Sequence, residues 1–337
     1  MVTSLIELKE KIDQIPRIKL AHLPTPLEDM ARLTKALNGP HLWIKRDDCT
    51  GLAFGGNKER KTEYVMADAL SKKADVVITT GGIQSNHVRA TSSAARKCGL
   101  KAILVLTGKE PKTYDGNLLL DHLLGSEIRF FKGTQKDWEK THPMEKIAKE
   151  LAKQGHTPYI IPAGASYPIG AIAYMNALLE LLNQARDTNL KIDYIVHAAG
   201  SGGTQAGLIL AKQILKSSTA ILGINVEPGN NWLIKKTVDI ANATASLLRI
   251  KETVKPKDVM LRNYSKPGYG VLSSEAKKAI ELTAKTEGIL LDPMYTGKAM
   301  AGVIDMTRQN QFKKSDNIVF IHTGGTPTLF PYKSDLT

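Results

Sequence analysis

Only two cysteines, Cys49 and Cys98, occur in 337 residues, so no disulfide framework can hold this chain together. The expected home is a reducing cytoplasm, and the fold must rest on a buried core. No apolar run approaches the roughly 20 residues that a membrane helix needs. The first residues, MVTSLIELKEKIDQ, carry charges where a secretory signal has an apolar core. Aromatic residues are scarce, at 6%. Zinc-ligand spacings, arginine-rich runs and RNA-binding aromatic motifs are all missing, as are repeats and Pro/Gly/Ser linkers. Acidic residues are short as well: 33 Asp+Glu face 46 Lys+Arg, a net charge of +13. That imbalance suits a nucleic acid, an anionic small molecule or no specific partner at all. With no accompanying motif, nucleic acid has the charge as its only support, and neither it nor a membrane is an expected partner.

What is present is an alternation. The length corresponds to about two domains. Residues 3–14 read as an amphipathic helix, and Pro24 and Pro26 set an extended lead into the next one. A strand over 41–48 runs into a Gly-rich loop, which turns helical after Gly55 and Gly56. Buried strands at 74–82, 101–108, 127–131 and 157–164 then alternate with helices at 86–99 and 117–125 and a charged helical stretch broken near Pro143. GAIAYMNALLELLNQA, YIVHAA, ILGINVEP, a helix reaching about Asn242, and NIVFI continue the pattern. Apolar strands alternating with helices predict parallel sheets covered on both faces.

Ligands of such sheets bind outside the carboxyl ends of the strands. Three strands end in polar, Gly-rich loops: VVITTGGIQSNH (76–87), YIVHAAGSGGTQAG (194–207) and IVFIHTGGTP (318–327). In the second, Gly200, Gly202 and Gly203 let backbone N–H groups approach a ligand, and Thr204 adds a hydroxyl at a helix start. That construction suits a phosphate, although a tight strand-to-helix turn would look the same. Neither the nucleotide-binding G-x-x-x-x-G-K-[ST] loop nor a G-x-G-x-x-G fingerprint is present. Gln84, Ser85, Asn86 and His87 follow the first loop. They suit a carboxylate, or simply a helix N-cap.

GGNKERK (55–61) puts Lys58 at a helix start, where a lysine opposes the helix dipole. Lys61 lies one turn later on the same side. Such a lysine can form an imine with a carbonyl cofactor; a solvated surface lysine is the plainer alternative.

Taken in order, GGN-Lys-x-Arg-Lys, TTGGIQSNH, AAGSGGTQAGL, GYG, EGILLDPMYTGKAM and IHTGG resemble the D-cysteine desulfhydrase and 1-aminocyclopropane-1-carboxylate (ACC) deaminase family. The match runs from about Pro24 to Phe330. The resemblance implies a pyridoxal-phosphate enzyme of fold type II: two open, mostly parallel twisted sheets with helices on both faces and the cofactor between domains. It implies a large domain of 1–52 plus 163–337, a small inserted domain of 53–162, and a homodimer. It assigns Lys58 to the covalent bond with the cofactor and Lys61 to neutralising the phosphate. Gly200, Ser201, Gly202, Gly203 and Thr204 would form the phosphate cup. Asn86 would bind the 3-hydroxyl, and Thr323 would lie near the pyridine nitrogen. Gln84, Ser85, Asn86 and Thr296 would face a small amino-acid substrate, with Ser85, Tyr269 and Tyr295 among the catalytic groups. His87 and His322 read as scaffold, and both cysteines as inert.

The expected chemistry is β-elimination. The cofactor is the electron sink and the freed Lys58 amine takes the α-proton. Burial and the charge of Lys61 should lower the pKa of that amine. For D-cysteine the products are pyruvate, hydrogen sulfide and ammonium. A hydroxyl at Thr323 leaves the pyridine ring largely neutral, which favours elimination over transamination. ACC deaminases typically carry glutamate and leucine where this chain has Thr296 and Thr323, so the desulfhydrase side is favoured. ACC deaminase, L-cysteate sulfo-lyase and a non-catalytic relative remain as alternatives. Glu59 and Thr62 depart from the family pattern. Glu59 could raise the pKa of Lys58, or point to solvent and pair with Arg60 or Lys61.

Overall fold

The computed structural model, which describes residues 2–268 and 270–337, places the strands in two sheets. One has six strands in the order β1-β2-β10-β7-β8-β9. These are β1 (Leu27–Asp29), β2 (His41–Lys45), β7 (Tyr194–Ala199), β8 (Ala220–Asn225), β9 (Met260–Asn263) and β10 (Asn317–Ile321). The other has four, in the order β5-β4-β3-β6: β3 (Val76–Gly82), β4 (Lys101–Thr107), β5 (Glu127–Phe131) and β6 (Pro158–Ile161). Only β1 pairs antiparallel, with β2; all other pairings are parallel. The four-stranded sheet thus draws its strands from one continuous segment. The six-stranded sheet takes its strands from both sides of that segment.

Thirteen helices accompany them among the described residues. They are α1 (Val2–Asp13), α2 (Ala31–Leu37), α3 (Asn57–Ser71), α4 (Asn86–Lys97), α5 (Gly116–Leu123), α6 (Gln135–Thr141), α7 (Pro143–Lys153), α8 (Pro168–Asp187), α9 (Gly203–Leu215), α10 (Asn230–Leu247), α11 (Ser274–Glu287), α12 (Thr296–Arg308) and α13 (Lys333–Leu336). None is long and apolar enough to cross a membrane. Helices cover both faces of each sheet, which is why the strands read as continuous apolar runs rather than alternating ones. On β10, Val319 and Ile321 join the core under α1, α8, α9 and α10. Ile318 and Phe320 join the opposite core under α2, α11 and α12. On β3, Val77 packs with α3, α4 and α5, while Val76 and Ile78 face α7. A fully buried aromatic such as Phe320 contributes about 2–3 kcal/mol relative to exposure.

The fold class is as expected: two mostly parallel sheets with helices on both faces. The segment after Asn242 differs from the sequence reading. α10 continues to Leu247, and β9, α11 and α12 were not anticipated. Eleven of the thirteen residues of α12 are buried. With small residues on nearly every side, TGKAMAGVIDMTR has no polar face to generate a helical period. β9 is only four residues long and sits at a sheet edge, so its pattern is too short to read.

α3 packs on both α8 and α4 and carries Lys58. Its first turn is tied down by a buried ionic network. Arg60 donates to Asp47 at 2.7 Å and to Glu180 at 2.8 Å, and Lys45 on β2 donates to the same Glu180 at 2.6 Å. Tyr174 on α8 donates to Asp47 at 2.5 Å. Arg60 and Asp47 are nearly inaccessible, so losing one partner would strand a buried charge, at a cost of about 3–5 kcal/mol.

Candidate active site

The carboxyl ends of β3, β4, β7 and β10 and the loop after β8 open into one cavity of about 490 Å³. Lys58 projects into it from α3, Thr80 to Gly82 come from β3, and Ser85 to His87 from the start of α4. Ala198 to Gly202 and Thr204 come from β7, its loop and α9. Glu227, Tyr295 and Thr323 complete the wall. Gln135 and Trp138 of α6 also line it.

Lys58 follows a loop of unusual backbone conformation. Gly51, Ala53, Phe54, Gly55 and Gly56 all have φ between 44° and 125°. Glycine is required at 55, where a Cβ would sit 2.0 Å from the carbonyl oxygen of Asp48. Polar side chains hold this loop. Arg89 donates to the carbonyl oxygens of Ala53 and Gly55. Thr50 Oγ1 accepts from Gly56 N at 2.8 Å. Glu59 Oε2 accepts from Leu52 N at 3.0 Å. Glu59 is therefore buried and directed at the loop. It neither points to solvent nor pairs with Arg60 or Lys61, and no influence on Lys58 is resolved. Burial pushes its carboxyl up to about 7, against the lowering effects of Thr50 and Arg89. Thr62 is also buried, donating to the Glu59 carbonyl oxygen at 2.9 Å.

Burial lowers the Lys58 amine to about 8; Glu227 and Asp292 work against that shift and Arg89 adds to it. Lys61, expected to share in the shift, is absent from its causes. The influence runs the other way: burial and then the charge of Lys58 hold Lys61 well below its ordinary value.

Lys61 is fully buried. Among the described residues no carboxylate forms an ion pair with it, and its Nζ donates to the Gly164 carbonyl oxygen at 3.1 Å. It abuts the loop into α9, whose cap residue Gly202 has φ 84° and offers no side-chain cap. A Cβ on Gly203 would lie 2.8 Å from Ser166 Oγ and 3.0 Å from Lys61 Nζ. Ser201 Oγ lies 2.6 Å from Ser166 Oγ, and Thr204 Oγ1 accepts from Asn57 Nδ2 at 3.1 Å. Backbone N–H groups, hydroxyls and a buried lysine without a counter-ion fit a phosphate.

At the opposite side, Ser85 caps α4 by accepting from Val88 N at 3.3 Å. Asn86 lines the cavity, with Oδ1 held by Asn117 Nδ2 at 2.8 Å. The Thr323 side chain is in the wall, and its carbonyl oxygen accepts from Asn57 N at 3.0 Å. His87 is fixed on Thr79, 2.7 Å from its hydroxyl. His322 Nε2 lies 3.0 Å from the Leu290 carbonyl oxygen. Cys49 is exposed and Cys98 half-buried; both thiols are raised by burial.

Two residues expected at the substrate are not in the wall. Gln84 spends its amide on the start of α5, donating to the Asp115 carbonyl oxygen at 3.0 Å and accepting from Asn117 N at 2.8 Å. Thr296 is buried, and its hydroxyl donates to Asp292 at 2.7 Å. Each side chain secures a helix start instead. Tyr269 lies outside the described residues.

Sequence reasoning missed Glu227, His197, Gln135 and Trp138. Glu227 had a signal: it lies two residues beyond β8, at the same edge as the three Gly-rich loops. His197 had none, because a histidine inside a buried strand gives no indication of which face it occupies. Burial holds it neutral, at about 4.

Similarity to known proteins gives the family of the chain. A family model described as pyridoxal-phosphate dependent enzyme matches residues 18–324. A D-cysteine desulfhydrase of Klebsiella pneumoniae is 40% identical over 97% of this chain and 99% of its own length. A Pyrococcus horikoshii protein, provisionally named 1-aminocyclopropane-1-carboxylate deaminase, is 42% identical over 96% of each chain. The crystal structure of an ACC deaminase homologue superposes with a TM-score of 0.90 at 40% identity, covering 98% of both chains. A tomato threonine deaminase shares the fold, with a TM-score of 0.70 at 18% identity. The chain belongs to the pyridoxal-phosphate-dependent enzymes, in the family that contains the D-cysteine desulfhydrases and the ACC deaminases.

Proposed function

We propose that this enzyme catalyses β-elimination from D-cysteine or a close β-substituted amino acid, releasing pyruvate, hydrogen sulfide and ammonium. The observation that carries this reading is the Lys58 amine, lowered to about 8 in the wall of a cavity whose far end fits a phosphate. Bound pyridoxal phosphate supplies the electron sink for the Cα–H and Cβ–S bonds.

The chain's own groups do the rest. Lys58 would hold the cofactor through its amine and would serve as the base for the α-proton. Its pKa near working pH keeps a useful fraction in the basic form. Lys61 and the backbone N–H groups around 202–204 would hold the phosphate. Asn86 meets the 3-hydroxyl. Ser85 and the start of α4 hold the substrate carboxylate. Thr323 would offer the pyridine nitrogen a hydroxyl in place of a carboxylate, which would favour a neutral ring. A thiolate leaves without needing a strong sink. Tyr295 and Tyr269 are the remaining catalytic candidates. The reading also includes domains of 1–52 plus 163–337 and 53–162, a homodimer, and a cytoplasmic setting.

A second reading, ACC deaminase, is favoured by the names of the Pyrococcus relatives. One substrate panel separates the two. Sulfide and pyruvate from D-cysteine support the first, and 2-oxobutyrate from ACC the second. Sulfite from L-cysteate would point to a sulfo-lyase. A visible cofactor band without turnover of any of them would point to a non-catalytic relative.

A further inference from the structure

We propose that Glu227 makes this cavity selective against amino acids with an anionic β-substituent and favours neutral or cationic ones. The inference rests on the reading above and narrows its substrate class. Among the described residues lining the cavity, Glu227 is the only carboxylate. Its position is built. Asn225, at the end of β8, accepts from Glu227 N through Oδ1 at 3.0 Å, and its Nδ2 donates to Asn230 Oδ1 at 2.7 Å. Both ends of the Asn225 amide thus set the turn that presents Glu227. Gly200 leaves room for the carboxylate: a Cβ there would lie 3.0 Å from Glu227 Oε1 and 3.6 Å from the Tyr295 ring.

No ion pair among the described residues takes this carboxylate. Burial raises the Glu227 carboxyl above its ordinary value, and the charge of Lys58, across the cavity, works against that shift.

The cavity is therefore polar along its length. The starts of α4 and α9, with Lys61 buried behind the loop into α9, form its electropositive side, and these would take the phosphate and the substrate carboxylate. The acidic corner of Gly200, Glu227 and Tyr295 is left for the side chain. A sulfonate or carboxylate there meets a like charge in a site of low dielectric. A thiol, a halide or an ammonium does not. Discrimination by an unpaired like charge works even where the two substrates have similar shape.

The test uses the holoenzyme and its Glu227→Gln variant with D-cysteine, β-chloro-D-alanine and D-cysteate. Initial rates of pyruvate release give kcat/KM, and perturbation of the visible cofactor band gives dissociation constants. The expected result is that the wild type disfavours D-cysteate. Glu227→Gln should narrow that gap by about tenfold or more, leaving the ratio between the two neutral substrates within about twofold. An unchanged gap would overturn the inference. So would a wild-type enzyme that binds D-cysteate as tightly as the neutral substrates, a comparison that needs no variant. Absence of a cofactor band and of pyruvate from every substrate would overturn the underlying reading, and this inference with it.

Discussion

Arg89, in the first turn of α4, donates to the carbonyl oxygen of Gly55 at 2.8 Å. Through this bond the helix that carries Asn86 grips the loop that launches Lys58. A second bond to the Ala53 carbonyl oxygen makes the grip two-pointed. The loop needs it, because its run of positive φ angles is otherwise costly. Arg89 itself is buried beside Glu59 and Asp121, and both carboxylates raise its pKa against the larger lowering by burial.

Replacing Arg89 by methionine should therefore act on both stability and the site. The buried Gly55 carbonyl and the half-buried Ala53 carbonyl lose their donor, and Asp121 loses its neighbouring positive charge. The expected cost is about 3 kcal/mol or more, seen as a lower midpoint in denaturant. Pyridoxal phosphate affinity should fall with it. A variant with wild-type stability and affinity would show that the loop holds its shape without this bond.

Glu59 gives a stability prediction with a definite sign. Its folded-state carboxyl is raised from 4.5 to about 7, so between those values the folded chain keeps a proton that the unfolded chain releases. Its contribution is neutral below about 4.5 and becomes a growing penalty as pH rises to 7. The full penalty is on the order of 3 kcal/mol. Glu59→Gln should therefore melt higher than the wild type at pH 8, with much of that advantage gone at pH 5. A pH-independent difference in melting temperature would count against a buried, raised carboxyl.

Capture of the cofactor by the apoenzyme should follow the Lys58 amine. Below about pH 8 the amine is protonated and cannot attack a carbonyl, so the rate should drop about tenfold per pH unit further down. Because Glu227 raises this pKa, Glu227→Gln should move the midpoint to lower pH. Stopped-flow growth of the visible band measures both. Lys58→Ala should abolish the band and lower turnover by at least about a thousandfold. A midpoint near 10 would mean that the amine is solvated.

Gly203→Ala tests the phosphate end. The added methyl would lie 2.8 Å from Ser166 Oγ and 3.0 Å from Lys61 Nζ, in the space assigned to the phosphate. A drop in pyridoxal phosphate affinity of about tenfold or more is expected, together with a loss of apoenzyme stability, because the methyl would also lie 2.9 Å from Ser166 Cα. Equal affinity, measured by equilibrium titration, would place the phosphate elsewhere.

Patterns that depend on neighbours along the chain were legible without a structure. The alternating apolar strands gave the parallel sheets because strands buried on both faces need no polar alternation. The Gly-rich loops after β3, β7 and β10 marked the edge where the cavity opens, because only glycine allows such close backbone approach. Asn86 and Thr204 could be nominated because each follows such a loop, and Lys58 and Lys61 because they open a helix after Gly55 and Gly56.

Pairings between distant segments were decided by tertiary structure alone. Sequence spacing cannot say that Glu59 turns to Leu52 and Arg89, that Gln84 is spent on α5, or that Thr296 is spent on Asp292. Side-chain direction settles each of those, and direction is fixed by which helix packs against which. The same holds for Glu227: it became a wall of the cavity only when β8 took its place beside β7 and the turn at Asn225 aimed its carboxylate at the cavity Lys58 enters.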